Sequence, residues 1–466
     1  MTLIKSISGF RGTIGGKANA NLTPVDIVNF ASAFACFIQS ESNKKAPTIV
    51  VGRDARISGA MVESLVNQSL VAMGAHVVSL GLSTTPTVEM AVTDLKADGG
   101  IILTASHNPK QWNALKLVNS KGEFISAQQG KMVLDLIENQ SFEFAPIDKL
   151  GNITYDNSQI EKHIEKILAL ELVDVEAIRQ ANFKVAIDAV NSTGGISIPP
   201  LLKALGVDQI VELYCEPTGI FPHNPEPLPE HLTALSEIVV RENADVGFSV
   251  DPDVDRLAII KENGDAFGEE YTLVAVADYV LSHTAGNTVS NLSSTRALQA
   301  VTHLHQSLYH ASAVGEVNVV EKMKETNAII GGEGNGGVIY PELHYGRDAL
   351  LGIALFLSLM AQRKQKASMI RASYPDFYIS KNKINLEEGM DIDALLANIA
   401  LKYKNERITT IDGVKIDFDT EWVHLRKSNT EPIIRIYAES NNLSKAEHLA
   451  DKIKKDIGEL LLPKES

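Results

Sequence analysis

At 466 residues the chain is too long for one ordinary domain and predicts three or four. Its 44% hydrophobic and 22% charged content is that of a globular protein with a real core; the net charge of −15 argues against a nucleic-acid partner, which needs a basic face, but not against a small anion held by local arginines. No long apolar segment opens the chain, and Cys36 and Cys215 lack metal-like spacing, so we expect a cytoplasmic protein with no signal peptide, no membrane partner and unpaired thiols.

Arg11 comes first, in the turn-like stretch Gly9-Phe10-Arg11-Gly12-Thr13. Ile49–Val51 then reads as a strand running into the polar loop Gly52–Gly59, followed by a segment of helical length and a strand around Ala75–Leu80. Gly99-Gly100 reads as a turn before a short apolar strand, Ile101–Leu103. That strand enters Thr104-Ala105-Ser106-His107-Asn108-Pro109, where Asn108-Pro109 biases the chain out of regular structure. Ser106 is therefore expected at a strand tip, a rigid support on which a hydroxyl can be offered for phosphoryl chemistry. A Ser-His neighbour pair alone is more often a solvated loop, so this reading of Ser106 draws its weight from the other loops of the chain.

The pattern recurs. Val185–Ile187 leads into Asp188–Gly195, a strand is expected over Gln209–Tyr214, and Val246–Val250 leads into Asp251-Pro252-Asp253-Val254-Asp255-Arg256. Three carboxylates at alternate positions offer the hard oxygen donors that Mg²⁺ or Ca²⁺ takes, and Arg256 offers a forked contact to the same anion. The bland alternative is a solvated acidic turn. An EF-hand is disfavoured, although Glu262 falls at its twelfth position, because Arg256 stands where glycine is required and both flanks read as strands.

A third, weaker copy runs from Thr288-Val289 into Ser290–Thr295, through a strand at Ala311–Val314, to Ala328–Ile330 and the loop Gly332-Glu333-Gly334-Asn335-Gly336-Gly337. Its glycines do not fit the dinucleotide fingerprint, and the chain contains no Gly-Lys-Ser/Thr phosphate loop. A carboxylate beside a carboxamide suits vicinal sugar hydroxyls, with a glycine-rich surface turn as the alternative. Leu350–Met360 is too short to span a bilayer and reads as a buried helix. From about Tyr374 the pattern changes to strands at Phe377–Ile379, Trp422–Leu425 and Ile433–Ala438 with helices near Asp391–Lys402 and Ser444–Leu461. Between the last two strands lies Arg426-Lys427-Ser428-Asn429-Thr430-Glu431-Pro432, followed by Arg435: a phosphate cradle, or a charged β-turn. The fold class expected is α/β: three similar α/β domains with mixed, parallel-rich sheets (1–150, 151–256, 257–372) and a smaller C-terminal α+β domain (373–466).

The four loops in this order resemble those of the α-D-phosphohexomutase family over essentially the whole chain. The phosphoserine loop looks like Thr104–Pro109, the metal loop like Asp251–Arg256, the sugar loop like Gly332–Gly337 and the phosphate loop like Arg426–Pro432. The sugar loop departs from the commoner Gly-Glu-x-Ser-Gly-His form: Asn335 replaces serine and Gly337 replaces a histidine often proposed as an acid/base, a role His344 does not simply inherit. The resemblance implies a heart-shaped protein around a central cleft, acting as a monomer or homodimer on a phosphosugar. It implies that Ser106 carries a phosphoryl group and that Mg²⁺ is held by Ser106, Asp251, Asp253 and Asp255. Hexose 6-phosphate and hexose 1-phosphate would interconvert through a hexose 1,6-bisphosphate, with Ser106, Lys116, Arg11 and His107 as the candidate catalytic group. Arg256, Glu333, Asn335, Arg426, Ser428, Asn429, Thr430 and Arg435 would bind substrate. The Asn-Gly-Gly loop looks like that of prokaryotic members assigned as phosphoglucosamine mutases or bifunctional phosphomannomutases; phosphoglucosamine mutase is the expectation, with phosphomannomutase/phosphoglucomutase as the alternative. Remoter readings are a phosphosugar hydrolase, which has no use for a second phosphate cradle, and a non-catalytic phosphosugar sensor, which has no use for Ser106 beside a metal loop.

Overall fold

The computed structural model describes residues 2–6, 9–385, 391–427 and 433–461. The chain forms two compact units, one of Met1–Tyr279 with Asn335–Arg371, the other of Val280–Gly334 with Ala372–Ser466.

The first unit contains two sheets. One has the strand order Ile4–Ser6, Gly9–Thr13, Trp112–Asn119, Gly99–Leu103, Thr48–Arg53, His76–Leu82, Ile153–Tyr155. Thr48–Arg53 lies in the middle, parallel to both of its neighbours, and Trp112–Asn119 runs antiparallel to Gly99–Leu103. Successive residues of the central strand serve opposite cores. Ile49 and Val51 pack with Phe30, Phe34, Val62 and Val66 from the helices Pro24–Ser42 and Gly59–Ala72, whereas Val50 packs with Val88, Ala91 and Val92 of the helix Thr85–Asp94. A parallel sheet covered on both faces needs such an unbroken apolar run. The second sheet repeats the arrangement in the order Leu257–Lys261, Val246–Val250, Lys184–Asp188, Gln209–Leu213, with only Leu257–Lys261 antiparallel. The helix Ala349–Arg363 is buried on every side from Ala349 to Ala361, as its continuous apolar sequence requires.

In the second unit, Tyr309–Ser312, Asn287–Asn291 and Ala328–Glu333 pair in parallel with Asn287–Asn291 central, the same order as the parallel strands of the other two repeats. The remaining strands, Tyr378–Asn385, Ile433–Ser440, Trp422–Lys427, Val414–Asp417 and Arg407–Thr409, form an antiparallel sheet. The helices Ile392–Lys402 and Leu443–Leu461 close its core through Leu395, Ile399, Leu449, Ile453 and Ile457. No helix among the described residues is long and apolar enough to cross a membrane.

Two local expectations are corrected. Gly99-Gly100 is not a turn but the start of the strand Gly99–Leu103; a Cβ on Gly99 would lie 2.7 Å from Ile38 Cδ1 and 2.9 Å from Val118 O, so glycine serves close packing there. Arg11 lies not in a turn but within the strand Gly9–Thr13, exposed, opposite Ala114, and on the same face as Lys116, which pairs with Gly9. The two glycines of that short strand hide its pairing partner, Trp112–Asn119, which is a hundred residues away.

Candidate active site

The strand Gly99–Leu103 is buried throughout and delivers Thr104–Pro109 at its carboxyl end. Ser106 is 8% exposed and has φ +49°, a left-handed conformation unusual for a residue with a Cβ. Its amide donates to Thr104 Oγ1 at 2.9 Å, and that hydroxyl donates to Asp54 Oδ2 at 2.7 Å. The Ser106 hydroxyl donates to Asp251 Oδ2 at 2.6 Å, and His107 Nδ1 lies 3.3 Å from Oγ.

Asp251, Asp253 and Asp255 leave the end of the buried strand Val246–Val250, are each 0% exposed, and bring one ligand atom apiece within 4.8 Å of one another. Val254 between them also takes positive φ, at +63°. Asp251 Oδ1 accepts from the amides of Asp255 and Arg256, each at 3.2 Å. Asp253 Oδ2 accepts from Lys116 Nζ at 2.7 Å and Thr85 Oγ1 at 2.6 Å, and Asp255 Oδ2 accepts from Arg347 Nη2 at 2.7 Å. Asp253 Oδ1 and Asp255 Oδ1 are buried with no hydrogen-bond donor among the described residues. Three buried carboxylates with two oxygens left over fit a hard divalent cation, whose coordination would satisfy them.

The electrostatics follow from crowding. Burial, then the neighbouring Asp255 and Asp253, push the Asp251 carboxyl well above the usual range. Burial acts the same way on Asp253, but the Lys116 ammonium and the hydrogen bonds from Lys116 and Thr85 together outweigh it and hold that carboxyl below the usual range. Lys116 is raised in turn: its burial is overcome by Asp253 and Asp255, the latter 3.6 Å away. Burial and the Arg256 guanidinium press His107 down to about 2, so its ring is neutral at physiological pH. Glu226 Oε1 lies 3.6 Å from Arg256 Nη1 and 3.9 Å from His107 Nε2.

Ser106, His107, Lys116, Asp251, Asp253, Asp255 and Arg256 are thus brought together within the first unit. In the second, Glu333 ends the strand Ala328–Glu333, and its Oε1 accepts from Asn291 Nδ2 at 2.8 Å and the Gly315 amide at 3.1 Å. Asn335, in the first unit, turns its Oδ1 to the Gly337 amide at 3.2 Å. Arg426 and Arg435 stand directly opposite each other on adjacent strands, and Arg426 Nε contacts Asp412 Oδ2 at 2.8 Å. Ser428, Asn429 and Thr430 lie outside the described residues. His344 lies largely shielded between Glu89 and Asp348, with Nδ1 3.4 Å from Glu89 Oε2 and Nε2 3.3 Å from Asp348 Oδ2.

Sequence reasoning missed Thr85, Arg347 and the buried pair Asp54–Arg56. No local spacing ties them to the carboxylates or to the serine, since Thr85 lies 168 positions and Arg347 lies 92 positions from the aspartate each one meets.

Residues 4–144, 161–264 and 268–377 match alpha/beta/alpha domains I, II and III of phosphoglucomutase/phosphomannomutase, and residues 382–456 match its C-terminal domain. The chain is 35% identical to a phosphoglucomutase/phosphomannomutase of Thermococcus kodakarensis, over 93% of this chain and 95% of that relative. It is 32% identical to a phosphoglucosamine/phosphogalactosamine mutase of Sulfurisphaera tokodaii, over 96% and 98%. A crystal structure of a phosphoglucomutase/phosphomannomutase family protein from Burkholderia thailandensis superposes with a TM-score of 0.84 at 25% identity, covering 97% of this chain and 96% of that one.

Proposed function

The chain belongs to the phosphoglucomutase/phosphomannomutase family and is a phosphohexomutase, and from that premise we propose that it interconverts glucosamine 6-phosphate and glucosamine 1-phosphate by way of a phosphorylated Ser106 and the hexose 1,6-bisphosphate. The observation that carries the reading is the 2.6 Å contact of the Ser106 hydroxyl with Asp251 in a buried triad that retains two carboxylate oxygens without a hydrogen-bond donor among the described residues. Asp251, Asp253, Asp255 and an oxygen of phosphorylated Ser106 would hold Mg²⁺, which neutralises charge on the phosphoryl group when bound.

In the forward half-reaction a sugar hydroxyl attacks the phosphorus on Ser106. The new bond is sugar O–P, the bond broken is Oγ–P, and the hydroxyl proton passes to a base while Oγ is left to be reprotonated. His107 Nδ1, 3.3 Å from Oγ, can orient the serine oxygen by a hydrogen bond, but a ring held down to about 2 is too weak a base to keep the proton, which the transfer returns to Oγ. Lys116, ion-paired to two of the aspartates, and Arg256, within 4.0 Å of Asp251, supply cations for the oxygens of the moving group, and Arg11 projects from the face that carries Lys116. The bisphosphate then reorients and returns its other phosphate to Ser106. Glu333 and Asn335 would hold ring hydroxyls, and Arg426, Ser428, Asn429, Thr430 and Arg435 the phosphate that is not reacting. Splitting the transfer into two serine-centred steps lets one site serve both positions of the sugar.

The name of the 32% identical relative supports the amino sugar, while the Asn335-Gly336-Gly337 form of the sugar loop is compatible with either sugar. The 35% identical relative makes glucose and mannose phosphates the second reading. A coupled assay on the 1- and 6-phosphates of glucosamine, glucose and mannose, with intact-mass analysis of wild type and Ser106→Ala, tests both levels. Wild type should carry one added phosphate and turn over glucosamine phosphate fastest. Full mutase activity in Ser106→Ala would remove the serine from the mechanism, and a faster rate with mannose or glucose phosphate would reassign the substrate.

A further inference from the structure

In each α/β repeat, the loop after the first strand has no role in the phosphoryl transfer itself, yet it hydrogen-bonds to the functional loop after the third strand. In the second repeat, Ser192 Oγ and Thr193 Oγ1 both donate to Pro252 O, at 2.7 and 2.8 Å, between two of the aspartates. In the third, Asn291 Nδ2 donates to Glu333 Oε1 at 2.8 Å and Ser294 Oγ accepts from the Gly334 amide at 3.0 Å. In the first repeat the same place holds Asp54 and Arg56, and the grip is the most extensive of the three.

Arg56 is 1% exposed, and its guanidinium is spent almost wholly on backbone carbonyls of the serine loop. Nη1 donates to Pro109 O at 2.8 Å and Trp112 O at 3.1 Å; Nη2 donates to Asn108 O at 2.6 Å and to Ser106 O. Nε donates to Asp54 Oδ2 at 3.0 Å, the oxygen that also accepts from Thr104. One buried ion pair therefore fastens both sides of the serine: Arg56 holds its carbonyl and the residues after it, while Asp54, through the Thr104 hydroxyl, holds its amide. A lone guanidinium would be costly at this depth, and only a fork of five N–H groups can meet four carbonyls and a carboxylate at once. The conformation so fixed is one Ser106 would otherwise disfavour, with φ +49°.

We propose that Arg56 is a positioning residue for phosphoryl transfer, clamping Ser106 in its left-handed conformation so that Oγ faces Asp251 and the Oγ–P bond of the phosphorylated serine lies in line with the incoming hydroxyl. The proposal rests on Ser106 as the phosphoryl carrier. The clamp makes no hydrogen bond to the Asp251–Asp255 triad and reaches it only through Ser106, so its loss falls on the placement of the serine.

The test uses Arg56→Lys, which keeps the charge beside Asp54 but loses the fork, and Thr104→Val, which removes the link to the Ser106 amide without touching Arg56. Each is assayed for kcat, KM and the rate at which glucose 1,6-bisphosphate phosphorylates the serine, read by intact mass. Misplacement on the scale of an ångström predicts a fall in kcat and in phosphorylation rate on the order of 10²-fold for Arg56→Lys, with KM within about threefold of wild type. A merely structural role would instead move thermal stability and leave the kcat of folded protein intact. Wild-type kcat in folded Arg56→Lys overturns the proposal; should that variant not fold, wild-type kcat in Thr104→Val overturns it. Ser106→Ala run beside them keeps the two readings apart: if it is inactive while the clamp variants are normal, only the clamp is wrong.

Discussion

Ser106 and Val254 are both held at positive φ, one in the serine loop and one among the aspartates, where each departure from ordinary backbone geometry costs about 1–3 kcal/mol. Such geometry persists only where surrounding bonds over-determine it, and both loops are braced by side chains from other loops. Close by in the fold, His344 shows how a buried site stores a pH dependence. Burial alone would lower its ring, but Asp348 and Glu89 outweigh that and raise it from 6.5 to about 9. The folded state therefore binds the proton more tightly than the unfolded chain. Its stabilisation, about 3 kcal/mol by linkage, is fully present below pH 6.5 and is lost as pH rises through about 9. Urea midpoints should accordingly fall between pH 6 and pH 9.5 in wild type and fall less in His344→Gln. Identical slopes in the two proteins would show that the ring does not gain its proton on folding.

At the scale of elements, chemistry is delivered by strand ends and shaped by the loops beyond them. The loop carrying Glu333 and Asn335 turns at Gly336, which takes φ +85° and accepts from the Leu257 amide at 3.1 Å. A Cβ there would sit 2.3 Å from Leu257 O, a backbone atom that cannot rotate away. Gly336→Ala should therefore destabilise the protein by at least about 2 kcal/mol in equilibrium unfolding, from positive φ and the clash together. A change under about 0.5 kcal/mol would mean the loop relaxes freely and is not shaped by this contact. The helix Ala349–Arg363 starts from a related economy: Asp348 caps it by accepting from Leu350 and Leu351 with Oδ1, while its Oδ2 meets His163 at 2.7 Å.

Across the whole molecule, one α/β repeat is used three times with three different loops, and an antiparallel unit adds the paired arginines. Arg426 and Arg435 are directly opposed across two strands, with Arg426 also 2.8 Å from Asp412, and the proposed phosphate grip is assigned to this pair. If that grip retains the bisphosphate during reorientation, Arg435→Ala should slow both directions of the mutase and increase the bisphosphate released per turnover. Unchanged release with near-normal rates would reduce the pair to an ordinary surface feature. The overall charge of −15 is no obstacle to such a substrate, because Lys116, Arg256 and Arg347 surround the aspartates locally.

The sequence by itself determined the repeat and the strand-end loops that present the serine and the aspartates. Ser106 and the alternating aspartates are legible because their meaning lies in local spacing, after runs apolar enough to be strands. The buried helix at 349–361 and the antiparallel character of the last unit were legible for the same reason. What only the tertiary structure decided is which groups complete those loops. Thr85, Arg56 and Arg347 reach their partners across 168, 50 and 92 positions, and nothing in the neighbouring residues records the contact. The strands Gly9–Thr13 and Trp112–Asn119 were hidden likewise, since β pairing is stabilised by a partner elsewhere in the chain rather than by the strand's own residues. Local pattern sets what each segment can offer; burial and long-range pairing set which offers meet.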